Sequence, residues 1–484
     1  MSQSRRQFIK RTLATTGTLG LQAPLVRADT PPRKPIDSGA LAKFRAQLKG
    51  RVVLPADSGY EAARRVFFWN PETERSPAVV ARCVEADDVR RAVEFARKHG
   101  LEVAVRGGGH SPLGWGTSNG LVIDLTGMNG VAVDAGKRTA RVDAGVLGGE
   151  VMRQAGRHGL APIVGQCPGV GAAGVTLGGG LGWLSGLHGA SCDNLISARI
   201  VTADGQILNV DAEREPELLW GLKGAGANYG IVTSFECRLH PVGPVTAGDI
   251  FYPVREARTV VRFFREFMAG APDSFQASLN LTPGERGVFV SLCHAGEAAE
   301  ADRLLRALRT VATPSKEAVR RQEFAELAGR APVAAAGVNY RSSATVYRHE
   351  FSDEVLDATL DRLAAAPAET VIGVSHYMHG AVCRVAPDAT AFPLRQAGGI
   401  HIRIGMDWND EGAGPRLMGW AEEARGLLRP RSGERIYANY QSYAGKGAAE
   451  AVFGANQARL AAVKYKYDRT NFFRRNSNLE PRRG

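Results

Sequence analysis

A chain of 484 residues, 44% hydrophobic and 23% charged, is longer than one hydrophobic core usually spans and has the balance of a soluble globular protein, so two lobes are expected. The formal charge of +12 carries no aromatic-interleaved basic stripe, which excludes a nucleic-acid partner, and no run of eighteen apolar residues offers a membrane span. Six single cysteines (Cys83, Cys167, Cys192, Cys237, Cys293, Cys383) lack metal-ligand spacing and make no disulfide framework.

The first segment reads as a targeting peptide. Ser4-Arg5-Arg6-Gln7-Phe8-Ile9-Lys10 puts paired arginines before a mildly apolar stretch, 12–25, and Ala28 closes it with a small residue. This is the pattern of a twin-arginine signal over 1–28. It predicts export of a folded protein by the twin-arginine machinery, to a periplasmic or secreted location.

After a proline-rich opening, a strand is expected over 79–84. A helix follows, capped by Asp87-Asp88, with Val89, Ala92, Val93 and Ala96 on one face and Gly100 at its end. Val103-Ala-Val-Arg-Gly-Gly-Gly-His-Ser-Pro112 then runs an apolar strand into three glycines and a histidine. Residues without Cβ let backbone N–H groups converge on an oxyanion at close range, which points to a phosphate-bearing cofactor. A dinucleotide turn would open a helix here, but Pro112, Gly114, Gly116 and Gly120 follow, then a strand around Val122. A strand–loop–strand pyrophosphate site fits better.

Strands around Val131 and Arg141 and a helix over 146–158, ended by Gly159, come next. Residues 164–183 hold eight glycines, which argues against any ordinary helix or strand there. Such a run stays in a fold when something large packs on its bare backbone. A hairpin is expected over 196–201 and 206–210. Helices over 254–268, 297–311 and 355–365 alternate with strands over 275–281, 288–294 and 371–377, suggesting a separate α+β lobe. His376 and His379 on a strand end face opposite ways, which argues against a metal pair; they are expected to line a substrate mouth.

Arg106-Gly-Gly-Gly-His-Ser111 and Cys167-Pro-Gly-Val-Gly171 together resemble two loops of the covalent flavoprotein oxidases related to berberine bridge enzyme and bacterial hydroxynicotine oxidase. The joint occurrence carries the resemblance. Glu217-Leu-Leu-Trp220, Asn228-Tyr-Gly-Ile-Val-Thr233, Tyr437-Ala-Asn-Tyr440, Phe453-Gly-Ala-Asn456, Asn471 and Asn478-Leu-Glu-Pro481 match further stations in order. The resemblance implies an α+β fold: a PCMH/vanillyl-alcohol-oxidase-type FAD-binding domain over 29–240, a substrate domain with an antiparallel sheet over 241–430, and a C-terminal segment, 431–484, returning to the FAD domain.

It also implies FAD bonded to His110 through its 8α carbon and to Cys167 through C6. Arg106, Gly107, Gly108, Gly109, Ser111, Val170, Gly171, Gly174, Gly182, Ile231, Asn439 and Asn471 would lie at the cofactor, with no metal. Val170 matches the family's small oxygen-gating residue, which implies an oxidase using O2. Tyr440 matches the family's proton acceptor, with Tyr437 second, on a strand where Tyr437 and Asn439 share a face and the phenol is acidified by cationic neighbours. The glutamate that some members use has no match over 401–408, where Arg403 is placed to depress a tyrosine pKa or bind an anion. Val175 stands where plant members carry a histidine. The implied activity is oxidation of an alcohol-type small molecule; the alternatives are a dehydrogenase of the same fold using a non-oxygen acceptor, and a non-catalytic exported binding protein.

Overall fold

The computed structural model describes residues 36–284, 287–330, 338–430, 433–445 and 447–483; the twin-arginine segment lies outside them. Residues 1–42 and 43–484 form two compact units. In the first, the described residues open the helix Ser38–Gln47.

The second unit carries three sheets. Strands β1 (Arg51–Val53), β2 (Val79–Arg82), β3 (Val103–Arg106) and β4 (Leu121–Asp124) form the first, in the order β1-β2-β4-β3. β2, β4 and β3 run parallel, and β1 is the antiparallel edge. Val79, Val80, Leu121, Val122 and Ile123 are fully buried, as expected of parallel strands covered on both faces. The helix Ala86–Lys98 buries Val89, Ala92, Val93 and Ala96 as its periodicity predicts. Its cap differs from expectation. Glu85 holds the N-cap position without a side-chain capping bond, while Asp88 sits buried in the first turn and accepts from the backbone N–H groups of Lys49, Gly50 and Val84. A carboxylate that satisfies three stray donors is worth more there than at the helix end.

Strands β5 (Val131–Asp134), β6 (Thr139–Asp143), β8 (Leu195–Thr202), β9 (Ile207–Val210) and β10 (Gly230–Pro241) make the antiparallel second sheet, ordered β5-β6-β10-β8-β9, with β7 (Leu160–Pro162) also on β10. The glycine-rich run between β7 and β8 departs from expectation in one stretch. Ala172–Leu177 forms a short helix despite Gly174, because Ala172, Ala173, Val175 and Thr176 are all buried. Gly179 and Gly180, both at positive φ, turn the chain away after it.

The third sheet is antiparallel. It comprises β11 (Val245–Tyr252), β12 (Phe275–Leu281), β13 (Val288–His294), β14 (Lys316–Glu317), β15 (Arg320–Gln322), β16 (Tyr340–Arg348), β17 (Thr370–Tyr377) and β18 (Ile400–Trp408). The order is β14-β11-β13-β12-β17-β18-β16, with β15 beside β11. One face is core: Ile250, Leu279, Val290, Ile372, Ile402 and Ile404 pack with Phe264, Leu305, Leu356 and Leu417 from the helices Ala257–Ala269, Ala298–Val311, Asp353–Ala364 and Gly414–Leu428. Each such side chain contributes about 1.5–3 kcal/mol on burial. The alternate positions carry polar groups on the opposite face. A smaller cluster joins Met152, Ile163 and Trp183 to Val245, Cys293, Phe324 and Leu327.

The end of the chain comes back to the second sheet's neighbourhood. In the helix Gln457–Tyr467, Arg459 pairs with Glu217, and the buried Lys464 ammonium donates to Asn228, Asn478 and the Phe473 carbonyl. Residues 437–440 are not the strand that their spacing suggested. Ala438–Tyr440 is one 3-10 turn, so side chains there do not alternate between two faces.

Candidate active site

The two glycine loops cross backbone against backbone. A Cβ at Gly108 would stand 2.3 Å from the Gly171 nitrogen, and one at Gly171 would stand 2.5 Å from that of Gly108, so neither position admits another residue. Gly148 and Gly149 hold the second loop by donating to the carbonyls of Val170 and Pro168. The crossing brings His110 and Cys167 to one cavity of about 880 Å³, near the upper end of roughly 300–1,000 Å³ for ligand sites.

His110 lies flat on Phe67, ring centroids 4.0 Å apart and planes 13° apart. Burial and the charge of Arg341 pull its pKa down to about 4, so the imidazole is neutral through the physiological range. Burial raises the Cys167 thiol, opposed by backbone N–H groups of Gly169 and Val170 and by the Arg403 charge.

The 438–440 turn supplies the third component. Thr345 on β16 donates to the Tyr440 carbonyl at 2.6 Å and fixes the turn against the third sheet. The Tyr440 hydroxyl lies 2.9 Å from His376 Nε2. Burial pushes the phenol up to about 12, opposed by Arg403, so the acidification expected of Tyr440 is present in direction but outweighed. Burial likewise pulls His376 down to about 3. Tyr437 is buried, and its oxygen accepts from the N–H of Gly180 and from Asn439 Nδ2. Burial raises its phenol further still. Asn439 Nδ2 also donates to the Val175 carbonyl, which pins the turn to the glycine-rich helix.

Gly107, Gly108, Gly109, His110, Ser111, Cys167, Val170, Gly171, Gly174, Ile231, Tyr437, Asn439 and Tyr440 all line the cavity. Arg106, Gly182 and Asn471 are not among its lining residues. Arg106 donates to Asp124 and to the carbonyls of Ala63 and Arg65. Gly182 packs against the Val164 carbonyl, where a Cβ would come within 1.8 Å. Asn471 holds a positive-φ turn whose N–H donates to the Asp468 carbonyl. His376 reaches the cavity, whereas His379 turns to Gln276.

The polar face of the third sheet closes the cavity. Asp249, Ser291 and Ser278 lie opposite one another across β11, β13 and β12; Arg341 faces Asp407 across β16 and β18. Arg330 pairs with Asp249 at 2.6 Å. Arg403 lies over Gly405, two residues along its own strand, and opposite Gly373, so no side chain covers it from either position. Sequence reading missed Phe67, Arg341, Asp407 and the Asp249–Arg330 pair. Asp249, Arg341 and Asp407 showed locally only as polar residues at alternate positions of otherwise apolar strands; Phe67 and Arg330, outside any strand, carried no local signal.

The cavity suits a large flat nucleotide cofactor. A Cβ built at Gly174 meets no protein atom within 4 Å, so bare backbone faces open space there. Ser111 Oγ and Gln166 Nε2 are buried at the wall without a protein partner, leaving hydrogen-bonding capacity for a ligand.

Fold and site together define a flavoprotein with a PCMH-type FAD-binding fold. Residues 77–211 match the FAD binding domain family, and residues 436–480 the berberine and berberine-like family. (R)-6-hydroxynicotine oxidase of Paenarthrobacter nicotinovorans is 30% identical over 463 residues, covering 90% of this chain and 97% of that one. The crystal structure of 6-hydroxy-D-nicotine oxidase from Arthrobacter nicotinovorans superposes with a TM-score of 0.82 at 27% identity, covering 90% and 98%. The berberine-bridge-enzyme-like protein 1 of Physcomitrella patens gives 0.81 at 23% identity, covering 91% and 99%. The chain belongs to the berberine-bridge-enzyme-like family of FAD-linked oxidases, and it is an FAD-linked oxidoreductase.

Proposed function

We propose that this oxidase acts on an alcohol-type small molecule, a sugar or secondary metabolite, with FAD bonded to both His110 and Cys167 and with dioxygen as the electron acceptor. The observation that carries this reading is the Gly108–Gly171 crossing, which sets His110 and Cys167 on one cavity with Tyr440. When bound, FAD supplies a two-electron acceptor that takes hydride at N5 and returns the electrons to dioxygen as hydrogen peroxide.

The protein's own groups do the rest. His110, neutral because it is buried, offers a ring nitrogen as nucleophile, and Cys167 offers its sulfur. Tyr440, as its phenolate, takes the substrate's hydroxyl proton, and its oxygen is oriented by the 2.9 Å contact with His376 Nε2. Arg403 favours negative charge at the same oxygen. Asp249, Asn280, Ser278 and Ser291 present donors and acceptors along the cavity, which suits a hydroxylated substrate better than an apolar one. Val170, a small residue, lines the cavity, which supports the reading with dioxygen as acceptor. Arg5 and Arg6 support export by the twin-arginine route, to the periplasm or beyond.

The test is a panel of sugars, sugar alcohols and phenolic alcohols mixed anaerobically with purified protein. A substrate bleaches the flavin, and admitting oxygen restores the colour with one peroxide formed per turnover. Bleached protein that recovers its colour with an artificial dye but not with oxygen contradicts the oxidase reading.

A further inference from the structure

Two segments far apart in sequence, one giving Phe67 and the other Arg341, meet beside the histidine of the first glycine loop. The Phe67 ring covers one side of the His110 imidazole at 4.0 Å and 13°, and the Phe67 N–H donates to the Gly109 carbonyl at 3.0 Å, one residue before the histidine. Ring and backbone of Phe67 therefore fix the same short stretch. The guanidinium of Arg341 lies 4.7 Å over the Phe67 ring, a cation–π contact. The Arg341 backbone is stitched to the same segment: its N–H donates to the Trp69 carbonyl at 2.9 Å, and Asn70 Nδ2 donates to its carbonyl at 2.8 Å. From the other side, Arg106 grips the carbonyls of Ala63 and Arg65 just upstream. Phe67 is thus fixed by its own N–H and by the Arg341 guanidinium, within a segment that Arg341, Asn70 and Arg106 tie down on both sides.

We propose that Phe67, backed by Arg341, is a positioning residue for flavin attachment: it holds the His110 imidazole in one orientation for bond formation to the flavin 8α carbon. The proposal rests on the reading of His110 as a flavin link. In that step the imidazole nitrogen that carries the lone pair bonds to the 8α methyl carbon, which loses one hydrogen as a proton, and the ring sheds the proton on its other nitrogen. The two electrons of the broken C–H bond remain on the flavin, and dioxygen takes them with two protons as hydrogen peroxide. The protonated imidazole has no lone pair to offer at the attacking nitrogen, so a group that keeps it neutral keeps it reactive. Burial and the Arg341 charge both act in that direction. A ring stacked at van der Waals distance also removes the rotation that would turn the nitrogen away.

The experiment is run in a Cys167→Ala background, where covalent flavin comes through His110 alone. Protein produced under riboflavin limitation is incubated with added FAD and quenched in acid at intervals. Attached flavin is read by intact mass and by fluorescence of the denatured chain, at several pH values. Cys167→Ala alone should attach flavin at a rate that is flat down to about pH 5, because the imidazole stays neutral there. Adding Phe67→Leu should slow attachment at least about tenfold and move the acid midpoint up toward the ordinary histidine value of about 6.5, with reversible FAD binding retained. Phe67→Trp should restore both. Arg341→Met keeps the ring, so it should move the midpoint in the same direction without the full loss of rate; it carries the test should the leucine variant not accumulate. An unchanged rate and pH profile in Phe67→Leu, or an unchanged profile in Arg341→Met, overturns the proposal. Absence of covalent flavin from the Cys167→Ala parent is a different result: it removes the His110 link itself, and this proposal with it.

Discussion

At the scale of single residues, Tyr440 shows how far a motif can be carried. Its place beside Asn439 marked it as the proton acceptor, but acidity depends on surroundings that the motif does not contain. Burial pushes the phenol up to about 12, and the Arg403 charge offsets only part of that. Its nearest polar partner is His376, 2.9 Å away on β17, which burial keeps neutral and which orients the phenol oxygen. Tyr440→Phe removes that oxygen and leaves the ring, so flavin content should be unchanged while the rate of anaerobic flavin reduction falls at least about tenfold, a barrier increase of about 1.4 kcal/mol or more. Rapid-mixing absorbance measures it, and a wild-type reduction rate places the base elsewhere. Arg106 teaches the reverse lesson. It sits in the motif, yet its guanidinium is spent on Asp124 and two carbonyls.

At the scale of elements, the glycine loops were legible because their constraint is local: a chain that lacks Cβ atoms at set positions announces a close approach. What approaches was not legible, since Gly108 and Gly171 meet each other only after β3 and the helix Ala172–Leu177 are in place. The periods over 275–281, 288–294 and 371–377 were equally plain, whereas β11 and β16 were not expected, and nothing in the pattern said that Asp249, Ser291 and Asn280 face a cavity and not water. The turn at 438–440 was misread because side-chain spacing alone cannot separate a short strand from one 3-10 turn. The C-terminal helix Gln457–Tyr467 is anchored by Lys464, whose ammonium is fully buried with Asp468 at 3.6 Å. Burial lowers that lysine to about 8, while Asp468 holds it charged and also accepts from the N–H groups of Phe472 and Phe473. Lys464→Met leaves the carboxylate buried without its cation and should cost about 3–5 kcal/mol. Thermal or denaturant unfolding reads the loss; a midpoint within error of wild type shows that the pair does not anchor the helix.

At the scale of the whole molecule, three sheets enclose a site that none contains alone: the first and second carry the loops that present His110 and Cys167, and the third supplies a polar wall. A resemblance that runs along most of the chain made this architecture readable, whereas the contacts between distant segments, such as Phe67 with Arg341, had no sequence signature. The same enclosure sets an acid limit. His376 and His401 are buried neutral, so their folded pKa values lie below the unfolded value of about 6.5, His376 at about 3. The unfolded chain then binds more protons at mildly acid pH, and stability present above about pH 6.5 is lost as the pH falls toward 4, by up to about 1.4 kcal/mol per pH unit for each fully buried group. The thermal midpoint should fall over that window, and His376→Gln should flatten the fall; an identical slope in the variant assigns the acid sensitivity to other groups. The central claim is that one flavin joins both loops, and peptide mapping of the denatured, protease-digested protein tests it most directly. The account predicts a single FAD cross-linking the His110 and Cys167 peptides, and both peptides recovered at their unmodified masses, with all flavin released on denaturation, would contradict it.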